Sequence, residues 1–253
     1  MENRQYRRKF ALLSGAAVLA LALTAGAALR AALPAAVTVE STAQVPVLSE
    51  DGEQKLIALT FDDGPRRSTT TALLDGLAER GVHVTFFLIG AQVEGNEDIV
   101  RRMEAEGHQV GIHTYDHIKL TGLNRADFDA QVGRTRDLLA GILGHRDFLL
   151  RPPYGMTDAS VKAWAECPII IWSIDPEDWR DQNTPREVAE VTAQARDGAI
   201  VLMHDIFPAS VDAALQIVDQ LHAQGYLFVT VEELFAARHI SLESGESYSN
   251  AYP

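Results

Sequence analysis

Five places in the chain set ionisable groups directly behind an apolar run. Asp62 and Asp63 follow LIALTF, and His113 and His117 stand four residues apart after QVGI. Arg151 and Tyr154 follow FLL, Asp175 and Asp178 follow IIIWSI, and His204 with Asp205 follows AIVLM. Two imidazoles at i and i+4 share one face of a helical turn and can bind one cation, although a solvated surface pair has the same spacing. One added carboxylate makes a two-His-one-carboxylate site with open positions for water and substrate. Asp62 and Asp63 are the source of that carboxylate. As neighbours in extended backbone they point different ways, so one can bind the cation while the other faces the reacting water. By itself, Asp62-Asp63-Gly64-Pro65 reads equally well as a turn closing a strand.

The other groups complete the requirements of hydrolysis. An Asp beside such a water is a general base, with Arg151 as its partner. His204 lies on a different strand, free to protonate a leaving group, and an Asp at 175 or 178 would orient it and raise its pKa. A cation and a backbone N–H together stabilise an oxyanion. His83, His108, His145, His222 and His239 lack such placement and read as surface or packing residues. The single cysteine, Cys167, excludes an intramolecular disulfide and a cysteine zinc site.

The elements that must position these residues alternate along the chain. Strands are expected over 56–61, 84–89, 109–112, 148–150, 169–174, 199–203 and 226–229. Helices are expected over 68–80, 96–106, 124–143, 156–166, 185–196 and 209–223. Thr184-Pro185-Arg186-Glu187 opens one of them with capping-box spacing and Pro at the first position. The strands are too apolar to have a wet face, which marks a parallel sheet covered by helices. The expected fold is α/β, a distorted (β/α) barrel with about seven strands, with a doubly wound open sheet as the competing architecture. In a parallel barrel all strand carboxyl ends open on one face, and five strands deliver their ionisable groups there.

The 253 residues carry a net charge of −13, which argues against a nucleic-acid partner. Five of the 22 basic residues and one of the 35 acidic residues fall in residues 1–30, leaving 17 against 34, a net of −17, for the rest. Phe10 to Leu29 contains no charge and, as a helix, spans about 30 Å, the hydrocarbon thickness of a bilayer. The expected organisation is a basic cytoplasmic flank over 1–9, a transmembrane anchor or signal segment over 10–33 and a linker over 34–54. A catalytic domain follows over 55–240, with a frayed tail over 241–253. The basic flank places the domain outside the cytoplasm, tethered by the helix, or secreted if Ala25 to Ala28 form a cleavage site.

With these residues assembled, the chain resembles the polysaccharide deacetylases of carbohydrate esterase family 4, the NodB-homology domain. Thr60-Phe61-Asp62-Asp63-Gly64-Pro65, His113-Thr114-Tyr115-Asp116-His117, Arg151-Pro152-Pro153-Tyr154-Gly155, Asp175-Pro176-Glu177-Asp178-Trp179 and Leu202-Met203-His204 match its five motifs in order. The resemblance implies that Asp62 is the general base and that Asp63, His113 and His117 hold a divalent cation. Zinc comes first, with cobalt, nickel or manganese as alternatives. It further implies that Arg151 holds the base, that the Tyr154 N–H completes the oxyanion hole, and that His204, partnered by Asp178, is the general acid. Pro153, Asp175, Trp179 and Leu202 would line the substrate pocket. The implied activity is N-deacetylation of amino sugars in a polysaccharide, peptidoglycan first and chitin oligomers second, with no obligate protein partner. An O-acetyl xylan-type esterase, a cyclic-amide hydrolase and a non-catalytic glycan-binding module are the alternatives.

Overall fold

The computed structural model of the chain describes residues 54–253. The basic flank, apolar segment and all but the last residue of the linker lie outside the described residues. Among those described, no helix is long and apolar enough to cross a membrane.

Strand β1 (Lys55–Asp62) is buried at every position after Lys55. Helix α1 (Arg67–Arg80) returns over it and stops at Gly81, whose φ of 61° is the left-handed conformation that lets its N–H cap the last turn. β2 (Thr85–Leu88), α2 (Gly90–Val93), α3 (Glu97–Ala105) and β3 (Gln109–Ile112) follow. α4 (Arg125–Phe128), a π-helical turn over Asp129–Gly133 and α5 (Arg134–Leu143) run on without a break. A 3₁₀ turn at Pro153–Gly155 leads to α6 (Ala159–Trp164), β4 (Ile169–Ile170), α7 (Asp178–Asp181) and α8 (Thr184–Gln194). The chain ends with β5 (Ala199–His204), α9 (Pro208–Ala223), β6 (Tyr226–Phe228), α10 (Val231–Ala237) and β7 (Ser247–Tyr248).

The main sheet runs β3-β2-β1-β5, all parallel, with β6 also on β1. β1 gives its first three residues to β6 and its last three to β2. Single parallel bridges, Ile112 to Leu150, Leu150 to Ile169 and Ile174 to Val201, carry the ring from β3 round to β5. The result is the expected distorted barrel, with a strong ladder on one side and a seam of isolated bridges on the other.

Side chains alternate across this wall, as strand geometry requires. Ile57, Leu59 and Phe61 of β1 pack with Leu73, Leu77 and Ile217 of the surrounding helices. Leu56 and Ala58 turn the other way and meet Phe87, Leu149, Ile170 and Ile200 inside the barrel. The same inner columns then become polar toward the strand ends: Thr60 and Asp62 above Ala58, Arg151 above Leu149, and, beyond Leu202, His204 above Ile200. Val231, Leu234 and Phe235 of α10, with Ala251, belong to the inner apolar cluster.

Several expectations change. The runs at 148–150 and 169–174 are not full strands: Leu150 makes isolated bridges and only Ile169–Ile170 is regular. α10 was not anticipated; Thr230 and Glu233 form its capping box. The helix at 184 has no such box, because its cap is Asn183, whose side chain accepts from Arg186 N–H; Thr184 Oγ1 instead donates to the Ala209 carbonyl. The expected frayed tail is also corrected. β7 pairs with β4, and Ala251 N–H donates to the Gly198 carbonyl at 2.8 Å. Backbone pairing and one buried alanine order a segment whose polar composition carries no strand signal.

Candidate active site

β1 and β5 lie side by side with Asp62 opposite His204 in their register. Adjacent strands are about 4.8 Å apart, so the ladder itself sets these two side chains next to each other at the mouth of the barrel. Asp62 is buried, and its Oδ1 accepts from Arg151 Nη1 at 2.8 Å. Arg151 is fully buried and gives three more donors to Thr60 Oγ1 at 2.7 Å and the Ile170 and Ile171 carbonyls, both at 3.2 Å. Its guanidinium lies 4.1 Å over the Phe87 ring. A buried guanidinium demands this much compensation. Asp62 Oδ2 is left on the opposite side, 3.7 Å from His113 Nε2.

Asp63 follows the last strand residue with φ of 73°, a left-handed turn that redirects its carboxylate. Gly64 has no room for a side chain, because a Cβ there would stand 2.5 Å from Asp205 Oδ1. Asp205 therefore backs this loop instead of entering the cleft. It accepts from Thr70 Oγ1, and burial pushes its carboxyl up to about 7. Asp63 Oδ1 is buried without a hydrogen-bond partner, 3.5 Å from His113 Nε2 and 3.4 Å from His117 Nε2. The three ligand atoms lie within 4.8 Å of one another. Tetrahedral ligation at about 2.1 Å places donor atoms about 3.4 Å apart, so a divalent cation fits this group. His113 is prepared for it. Burial lowers its pKa, and the Arg151 carbonyl, 2.7 Å away, accepts from Nδ1–H and so fixes the tautomer whose Nε2 keeps its lone pair for a cation. The expected helical turn is absent: His113 and His117 sit on an irregular loop in which Thr114 and His117 adopt φ of 64° and 56°.

On the other flank, Asp178 in the first turn of α7 is fully buried. It accepts from His204 N–H at 2.8 Å and faces His204 Nδ1 at 2.7 Å. Burial opposes the charged imidazole, but the hydrogen bond and charge of Asp178, with Asp62 and Asp63 adding, raise its pKa to about 9. Tyr154 stands at φ 62° in the 3₁₀ turn as an exposed residue, its ring 5.2 Å from that of His117. A cleft of about 430 Å³ joins Asp62, Asp63, His113, His117 and His204 to Tyr154, Trp179, Leu202, Asp175 and Trp172. Burial raises the pKa of Asp175, the third carboxyl lining it. Pro153, expected in the pocket, is buried beneath its turn and does not line the cleft. Trp172 also lines the cleft, and within its apolar run the sequence carries no signal that sets it apart.

Comparison with known proteins gives this site a family. Residues 49–168 match the polysaccharide deacetylase family. The chain is 42% identical over 184 residues to the peptidoglycan-N-acetylmuramic acid deacetylase PdaC of Bacillus subtilis, covering 73% of this chain and 39% of that protein. It is 35% identical over 186 residues to a peptidoglycan-N-acetylglucosamine deacetylase of Bacillus cereus, covering 71% of this chain and 68% of that one. A family 4 acetyl xylan esterase from Clostridium thermocellum, solved with a cobalt ion, superposes with a TM-score of 0.74 at 28% identity, over 78% of this chain and 98% of that chain. The chain belongs to the polysaccharide deacetylase family. It spans about two fifths of the length of PdaC.

Proposed function

We propose that this protein hydrolyses N-acetyl groups on the amino sugars of a polysaccharide, with cell-wall peptidoglycan as substrate, releasing acetate and leaving a free amine. The observation that carries the reading is the flanking of one three-ligand cluster by two differently partnered groups, Asp62 on Arg151 and His204 on Asp178. Asp63, His113 and His117 would hold a divalent cation, for which we propose zinc, given two nitrogens and one oxygen. When bound, the cation supplies Lewis-acid polarisation of the acetamide carbonyl and of water.

The chain's own groups account for the proton movements. Asp62 Oδ2 accepts a proton from the water that attacks the acetyl carbon, while Arg151 fixes Oδ1. The Tyr154 N–H, without a partner among the described residues, donates to the developing oxyanion. His204, charged at neutral pH, gives its proton to the departing nitrogen as the C–N bond breaks. Leu202 and Trp179 offer apolar surface for the acetyl methyl. The similarity to the acetyl xylan esterase favours one second reading, an O-acetyl ester as substrate, because both reactions pass through the same oxyanion. Acetate release measured on peptidoglycan, chitin oligomers and acetylated xylan decides among them; no release from any of the three would overturn the catalytic reading. We also propose that the domain works outside the cytoplasm, carried there by the apolar segment Phe10 to Leu29, and protease accessibility on intact cells tests this.

A further inference from the structure

We propose that Gln131 is a positioning residue for the metal site, setting cation affinity by clamping the loop that carries His117. The inference rests on Asp63, His113 and His117 being the ligands. The two histidines are held differently. His113 continues from β3, its N–H donates to the Leu88 carbonyl at 2.9 Å, and its ring is fixed by the Arg151 carbonyl. His117 has no ring hydrogen bond among the described residues and takes a left-handed backbone, so its position depends on the loop between the two.

That loop is gripped from two sides. The N–H groups of Gly90 and Ala91 donate to the Thr114 and Tyr115 carbonyls, both at 2.9 Å. Opposite them, Gln131 Oε1 accepts the N–H groups of Tyr115 at 3.1 Å and Asp116 at 2.9 Å, and Nε2 donates to Asp116 Oδ2 at 2.8 Å. Gln131 is 7% exposed and sits within the π-helical turn, where Arg134 N–H reaches back five residues to the Asp129 carbonyl. Single π turns occur often at functional sites. Two backbone N–H groups can only donate, so the amide oxygen must face them and the amide nitrogen must face the Asp116 carboxylate. The position therefore requires an acceptor and a donor together, which glutamine supplies and glutamate does not.

Zinc titration calorimetry on the metal-free protein tests this, alongside melting curves in chelator. Gln131→Glu sets a carboxylate against Asp116 and should weaken zinc binding by about 10- to 100-fold, the range for lost supporting hydrogen bonds around metal ligands. Gln131→Glu combined with Asp116→Asn exchanges donor and acceptor and should restore affinity to within about threefold of the parent on the same scale. Asp116 is exposed, so Asp116→Ala removes only the acceptor without risk to folding and should weaken zinc severalfold at unchanged melting temperature in chelator. Parent-like affinity in Gln131→Glu, or a folded double variant that is not rescued, overturns the proposal. If Gln131→Glu does not fold, Asp116→Ala decides: an unchanged affinity overturns it. A His117→Ala control separates the two readings. Parent-like zinc binding there would remove the metal site itself, whereas loss there with no effect at Gln131 removes only the clamp.

Discussion

Asp62 and His204 face each other across the cleft with opposite partners, a buried guanidinium and a buried carboxylate, which suit the opposite tasks proposed for them. Asp62→Asn keeps a hydrogen-bond acceptor for Arg151 but removes the proton acceptor. We expect kcat to fall on the order of 10²- to 10⁴-fold with zinc stoichiometry unchanged by elemental analysis; near-parent turnover would remove Asp62 from the mechanism. For His204 the sign follows from its raised pKa of about 9. A histidine shifted upward stabilises the fold fully below its ordinary value of 6.5, and that contribution disappears as pH rises through about 9. In the metal-free protein, the melting-temperature gap between parent and His204→Ala should therefore narrow from about pH 6 to above pH 9. In the loaded enzyme the same group gives kcat/KM an alkaline limb, and Asp178→Asn should move that limb to lower pH by more than one unit. An unmoved limb would assign it to another group.

The elements carrying these residues differ in how plainly the sequence announces them. β1, β3 and β5 are continuous apolar runs ending in charged residues, so both the strands and the residues at their mouths could be read directly. The alternation that turns Thr60 and Asp62 inward is likewise a property of any strand. Three features were not legible for one shared reason: they depend on partners distant in sequence. β7 owes its order to the open edge of β4, Gln131 is one polar residue on a helix until its loop is seen, and Trp172 is one more residue of an apolar run until the fold sets it in the cleft with Leu202 and His204. The tail's role gives a prediction at this scale. Gly198 has φ of 85°, and a Cβ there would lie 2.2 Å from the Ala251 carbonyl oxygen. Gly198→Ala should cost about 1–3 kcal/mol in urea unfolding. In a variant ending at residue 245 the same substitution should cost less, because the clash goes with the tail; an equal penalty would assign the cost to backbone conformation alone.

At the scale of the whole molecule, the candidate metal site is assembled from a few loops at one end of the barrel. Because the proposed ligands come from the turn after β1 and from the loop after β3, bound cation should tie these segments together and raise the free energy of unfolding. At free zinc one hundred times its Kd the gain is about 2.7 kcal/mol, and chelator should remove it, together with activity, until zinc is restored. A melting temperature indifferent to zinc would argue against a site built from folded-state ligands. The seam of isolated bridges carries a separate consequence, visible on the timescale of amide hydrogen exchange. β1 and β5 share a six-residue register, whereas Leu150 meets Ile112 and Ile169 through single bridges and Ile174 meets Val201 through one. Local opening follows the sparser bonding, so amides at 148–151 and 171–174 should exchange well before those of β1. Across that seam Arg151 reaches the Ile170 and Ile171 carbonyls, which makes the partner of Asp62 also a strap over the sparsely bridged wall. Substituting it would then register twice, once in turnover and once as a stretch of wall that breathes.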